Sequence, residues 1–178
     1  MIVSSGIVGT KLKNYKTTVT WRRTTNYAAS VNDLNPWYLD DTREGGIVAP
    51  PMFAVAVTWP VLENLSNYLE TPLTNEILRT MVHYIEHIEL QRLIVPGDQL
   101  TVKGEVAAVV PHKSGTLLMI KLEVSDCEGL PVFTEYTGAL LRGIKCDDSA
   151  GTGNIPQTPY LEPAPDPVWE VEVPIGKA

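Results

Sequence analysis

Apolar and polar positions alternate along three stretches in the second half of the chain: Leu100–Val110, Thr116–Ser125 and Val132–Leu141. Period-two alternation predicts strands with one face buried. The breaks between them, Lys113-Ser114-Gly115 and Asp126-Cys127-Glu128-Gly129, have the composition of tight turns. These stretches predict an antiparallel meander. A fourth strand is expected over His83–Leu93, closed by the turn Pro96-Gly97-Asp98. Thr17 to Trp21 is β-rich, and Asn26 to Asn32 predicts a short helix capped by Thr24 or Thr25. Asp33-Leu34-Asn35-Pro36 is a turn, because the residue before a proline is pushed out of the α region. After Gly45-Gly46, a proline suited to a first helical turn, Pro51, opens a run predicted as a helix over 51–65. That run is apolar almost all round, the mark of a buried helix. A sheet with one apolar face must cover it, and this helix is the available cover. The pattern therefore predicts an α+β fold with a sheet wrapped around one helix.

The pattern changes near residue 144. Lys145 to Ala178 carries six prolines, at 156, 159, 163, 165, 167 and 174, and six acids against two lysines. Proline disfavours a continuous helix or a central strand. The chain thus divides into a domain over 1–143 and a Pro-rich acidic tail over 144–178. The tail is expected to be extended, either laid over a surface by Trp169, Val171 and Val173 or left as a linker.

Charge narrows the partners. The formal net charge is −7 and the pI is about 4.9, so a phosphate backbone or an anionic membrane surface is not expected as a partner. No apolar run approaches the roughly 20 residues of a membrane span. The first six residues show no basic stretch followed by a long apolar core, so no secretory signal is expected. Two cysteines, Cys127 and Cys146, are too few for a disulfide framework and fit a reducing cytoplasm.

Two constellations could carry chemistry. His83-Tyr84-Ile85-Glu86-His87 matches His-x-x-Glu-His, a zinc pattern that works on a helix. On a strand, positions i and i+4 lie about 13 Å apart, too far to hold one ion. The strand reading prevails, so neither a metal nor a cofactor is expected. The second constellation is Asn32-Asp33-Leu34-Asn35-Pro36-Trp37-Tyr38. A carboxylate and an amide on a tight turn suit acid/base work or, equally, an Asx-turn with helix capping.

Three ordered pieces carry a resemblance. They are Tyr27-Ala28-Ala29-Ser30-Val31-Asn32-Asp33-Leu34-Asn35-Pro36, then Gly45-Gly46-Ile47-Val48-Ala49-Pro50-Pro51-Met52-Phe53-Ala54, then Gln91-Arg92-Leu93-Ile94-Val95-Pro96-Gly97-Asp98. From about residue 15 to residue 143 the chain resembles the MaoC-like acyl dehydratases and (R)-specific enoyl-CoA hydratases, and within them the N-terminal, non-catalytic type of half. The resemblance implies a hot-dog fold and an acyl-CoA or acyl-carrier-protein thioester as ligand. It also implies pairing with a second hot-dog subunit or a second copy.

In catalytic members of that family an Asp, and a His five residues later, hold the water that adds to the double bond. By resemblance the Asp falls on Asp33 and the His on Tyr38. A tyrosine hydroxyl keeps its proton at neutral pH and is no easy general base. The glycine whose N–H binds the thioester oxygen falls on Pro51, which has no N–H. The resemblance thus implies a substrate-binding, non-catalytic subunit of a heteromeric hydratase. Asp33, Asn35, Tyr38, Pro51, Met52 and Phe53 are the substrate-binding candidates, and Asp33 is the sole catalytic candidate. Two alternatives stay open: a self-sufficient homodimeric hydratase or thioesterase using Asp33, and an acyl-thioester binding module without chemistry.

Overall fold

The computed structural model describes residues 1–70 and 73–157. In chain order the elements are β1 (Ile2–Val3), β2 (Lys11–Thr18), α1 (Trp21–Ser30), α2 (Pro36–Leu39), α3 (Phe53–Glu63), α4 (Leu65–Tyr68) and α5 (Asn75–Leu78). There follow β3 (Met81–Leu90), β4 (Gln99–His112), β5 (Gly115–Ser125), β6 (Pro131–Arg142) and β7 (Lys145–Cys146). Five strands form one antiparallel sheet in the order β2-β4-β5-β6-β3. The predicted meander is β4-β5-β6, and β3 closes one edge on β6.

Alternation along β5 sets the two faces. Leu118, Ile120, Leu122 and Val124 join the main core with Phe53, Ala54, Val57 and Val61 of α3. Met119, on the opposite face, is fully buried in a smaller cluster with Ala107 and Ala108, against which Ile85, Tyr136 and Ile155 pack. The sheet therefore wraps one helix on its inner face, as the apolar pattern predicts.

α3 is not buried all round. Trp59 is 53% exposed and Met52, just before the helix, 51%. One sheet covers only one side of a helix, so the remaining apolar side chains stay open. Pro60 sits inside α3 and cannot donate to the carbonyl of Ala56. Arg23 Nη2 supplies that donor at 3.3 Å. α1 also begins earlier than predicted. Thr20, not Thr24 or Thr25, caps it by accepting from Arg23 N, so Trp21 opens a helix rather than closing a strand.

β4 shifts register between Val106 and Ala108, and β3 between His83 and Ile85. Of the stretch predicted as a tail, residues 144–157 are described, and they pack on the body. β7 pairs in parallel with β1, Ala150 bridges Val109, and Asn154 Nδ2 donates to Ala107 O at 3.0 Å. Trp169, Val171 and Val173 lie outside the described residues.

Candidate functional site

The turn after α1 is built by short polar side chains. Asn32 adopts φ 55°, which an Asn tolerates better than most residues. Asp33 Oδ1 accepts from Asn35 N at 3.2 Å, and Asn35 Oδ1 accepts from Trp37 N at 3.0 Å. Both side chains thus serve as Asx-turn and cap, with Pro36 at the start of α2. The Arg43 guanidinium stacks 3.6 Å from the Trp37 ring centroid. Val48 N donates to Trp37 O and Ala49 N to Ile94 O, which ties the turn to the lead-in of α3.

This scaffold brings Tyr38 and Pro51 together. They line one cavity of about 190 Å³ with Trp37, Val48, Ala49 and Leu93. Asp33 and Asn35 are not among its lining residues. Met52 is exposed at the helix start, and its carbonyl accepts from the Tyr27 hydroxyl at 3.1 Å. Phe53 is only 1% exposed and lies in the core, edge-on to Tyr27 at 5.6 Å. A residue so placed supports the wall of a site without touching what fills it.

A second constellation, absent from the sequence-based candidates, lies under α3. Glu135 of β6 has no exposed surface, and its Oε2 is 2.7 Å from Thr58 Oγ1 of the helix. Beside it lies Glu86 of β3, whose Oε2 is 3.1 Å from His83 Nε2. Burial pushes the Glu135 carboxyl up to about 8; the Thr58 hydrogen bond offsets part of this, and the charge of Glu86 adds to it. Burial also raises Glu86, against the opposing pull of His83.

On a regular strand, His83 and Glu86, three apart, face opposite ways. The shift at Tyr84 inserts an extra residue and turns both to the inner face. There His83, Glu86 and Thr137 make one side of a cavity of about 270 Å³, whose apolar walls include Val55, Trp59, Leu62 and Ile120. His87 instead packs on Tyr136 and pairs with Glu89. The two histidines of the His-x-x-Glu-His pattern therefore face opposite sides of a strand and cannot share an ion. Among the described residues no group of His, Cys, Asp and Glu has metal-holding geometry.

A helix wrapped by a five-stranded antiparallel sheet in this order is a hot dog, and solved structures of this fold match it. A MaoC-like dehydratase from Phytophthora capsici superimposes with a TM-score of 0.68 at 20% identity, over 92% of this chain and 56% of that one. The HadBC (3R-hydroxyacyl-ACP dehydratase) complex from Mycobacterium tuberculosis gives a TM-score of 0.61 at 15% identity, over 72% of this chain and 93% of that one. In sequence, the UPF0336 protein SCO4636 of Streptomyces coelicolor is 27% identical over 121 residues, 65% of this chain and 79% of that protein. Residues 6–135 match the family described as FAS1-like, dehydratase domain region, and the chain belongs to that family.

Proposed function

We propose that this chain is the substrate-binding, non-catalytic subunit of a heteromeric enoyl-thioester hydratase or 3-hydroxyacyl dehydratase. The observation that carries this reading is the cavity shared by Tyr38 and Pro51. Hydration adds a water oxygen to C3 of the enoyl group and a proton to C2. It needs a base for the water and a donor for the thioester oxygen. At the two family positions for these roles, this chain offers a tyrosine and an imide nitrogen without hydrogen. The Asp33 carboxylate accepts from the backbone of its own turn.

A partner hot dog would bring the Asp, the His and the oxyanion donor, while this chain gives one wall of the acyl channel. The edge of β3 carries no further strand among the described residues and has Val82 and Tyr84 exposed on it, which suits pairing with such a partner. The existence of a two-protein hydroxyacyl dehydratase complex on this fold supports the arrangement.

Restoring both missing groups tests the reading. General acid/base catalysis contributes about 10²–10⁴-fold and an oxyanion donor about 10²–10³-fold, and both act in one transition state. Tyr38→His with Pro51→Gly is expected to give measurable hydration of a short enoyl-CoA by the isolated protein, with each single change near background. Pro51→Gly also adds freedom to the unfolded chain, so a small loss of stability accompanies it. Wild-type protein that alone hydrates enoyl-CoA at ordinary enzyme rates would overturn the assignment, and loss of that activity in Asp33→Asn would favour the self-sufficient enzyme.

A further inference from the structure

The carboxyl pair beneath α3 is a poor structural device and a good binding one. A structural pair draws donors from the protein until its oxygens are satisfied. Here Glu86 Oε1 and Glu135 Oε1 are both buried with no hydrogen-bond partner among the described residues. Their acceptor capacity stays unused, and Glu86 lines an apolar cavity. The backbone of β3 departs from its regular ladder to put His83 and Glu86 on that cavity, and such bulges commonly re-aim side chains at functional sites. The cavity is lined mostly by apolar side chains, with Glu63 besides the His83–Glu86 corner, and a mostly apolar cavity with a few polar groups is the ordinary form of a small-molecule site.

The corner selects the ligand. A plain hydrocarbon fills the cavity against Trp59, Leu62 and Ile120 but leaves the buried oxygens unpaired. A carboxylate meets a like charge. A ketone brings no donor to the unpaired oxygens. A hydroxyl can donate to Glu86. From the start of α3 at Phe53 to Trp59 the helix axis runs about 9 Å at 1.5 Å per residue. The corner therefore lies further along α3 than the Tyr38–Pro51 cavity, with which this cavity shares no lining residue.

We propose that the cavity between α3 and β3 seats an acyl tail bearing a hydroxyl group, with that hydroxyl hydrogen-bonded to the Glu86 carboxyl. This rests on the acyl-binding reading above and adds the chemistry of the tail.

The test titrates purified full-length protein by calorimetry with two matched pairs: octanoyl-CoA against ω-hydroxyoctanoyl-CoA, and methyl octanoate against methyl ω-hydroxyoctanoate. The hydroxylated member of each pair is expected to bind about tenfold tighter, the worth of one well-made hydrogen bond. Glu86→Leu reverses that order, and Glu86→Gln keeps it. Equal affinity within both pairs overturns the proposal, as does an unchanged preference in Glu86→Leu. Should Glu86→Leu not fold, the wild-type pairs decide alone. Discrimination between the esters with no binding of either thioester upholds the cavity and removes the thioester reading. Thioesters that bind without discrimination uphold the thioester reading and remove the cavity's role.

Discussion

Glu135 stands at the meeting point of the helix and the sheet, with Thr58 on one side and Glu86 on the other. Its carboxyl is held near 8, so between about pH 4 and 8 the folded chain binds a proton that the unfolded chain lacks. Stability from this group is complete below the unfolded value and falls as pH rises through 8, by up to about 1.4 kcal/mol per pH unit. Glu86 is raised too and adds to the same slope, and the nearby charge that opposes it is His83. Thermal melts across this range should show wild type losing stability toward the alkaline end and Glu135→Gln losing less. Parallel curves for the two proteins would contradict the buried acid. None of this was legible in the sequence. Glu86 stood inside a metal-like pattern and Glu135 inside an ordinary strand, and only the register of β3 on β6, with its extra residue at Tyr84, sets them side by side. Asp33 and Asn35 were legible as turn formers because their chemistry is local.

At the scale of elements, α3 depends on a residue from another helix. Arg23 donates to the Ala56 carbonyl that Pro60 leaves without its usual partner, and also to Thr17 and Thr18. Arg23→Met should lower the unfolding free energy by about 1–2 kcal/mol, read as a lower urea midpoint with an unchanged denaturant slope. An unaltered midpoint would mean that water serves the carbonyl equally well. The strands were readable because alternation and Gly-bearing turns are strong local signals; β4, β5 and β6 fall where the pattern predicts, while β3 runs Met81–Leu90 rather than His83–Leu93. The start of α1 was not readable: Thr-Val-Thr-Trp carries β propensity up to the residue that the Thr20 cap turns into a helix. The exposure of Trp59 was not readable either, because an apolar run does not say how many layers will cover it.

At the scale of the whole molecule, the sheet is covered on both faces by different means. α3 fills the inner face, and the segment carrying Ala150 and Asn154 lies over the outer cluster around Met119. Gly151 makes that contact possible. It has φ 71°, and a Cβ there would overlap the carbonyl oxygen of Ala107. Gly151→Ala should cost about 1–3 kcal/mol and speed amide exchange at Ala150, whose N–H bonds Val109; protection equal to wild type would contradict this packing. A Pro-rich, acidic composition gave no hint of this role, since the signal lies in one glycine and one amide. The fold as a whole was legible from the meander and the apolar helix, and the kinship with dehydratases from three ordered segments, whereas the functional assignment turns on two positions, Tyr38 and Pro51. The most direct test follows one sample of purified wild-type chain through two readouts, binding of a trans-2-enoyl-CoA by calorimetry and loss of its conjugated double bond by absorbance. Binding without hydration is the expected result, and hydration at an ordinary enzyme rate that disappears in Asp33→Asn would contradict it.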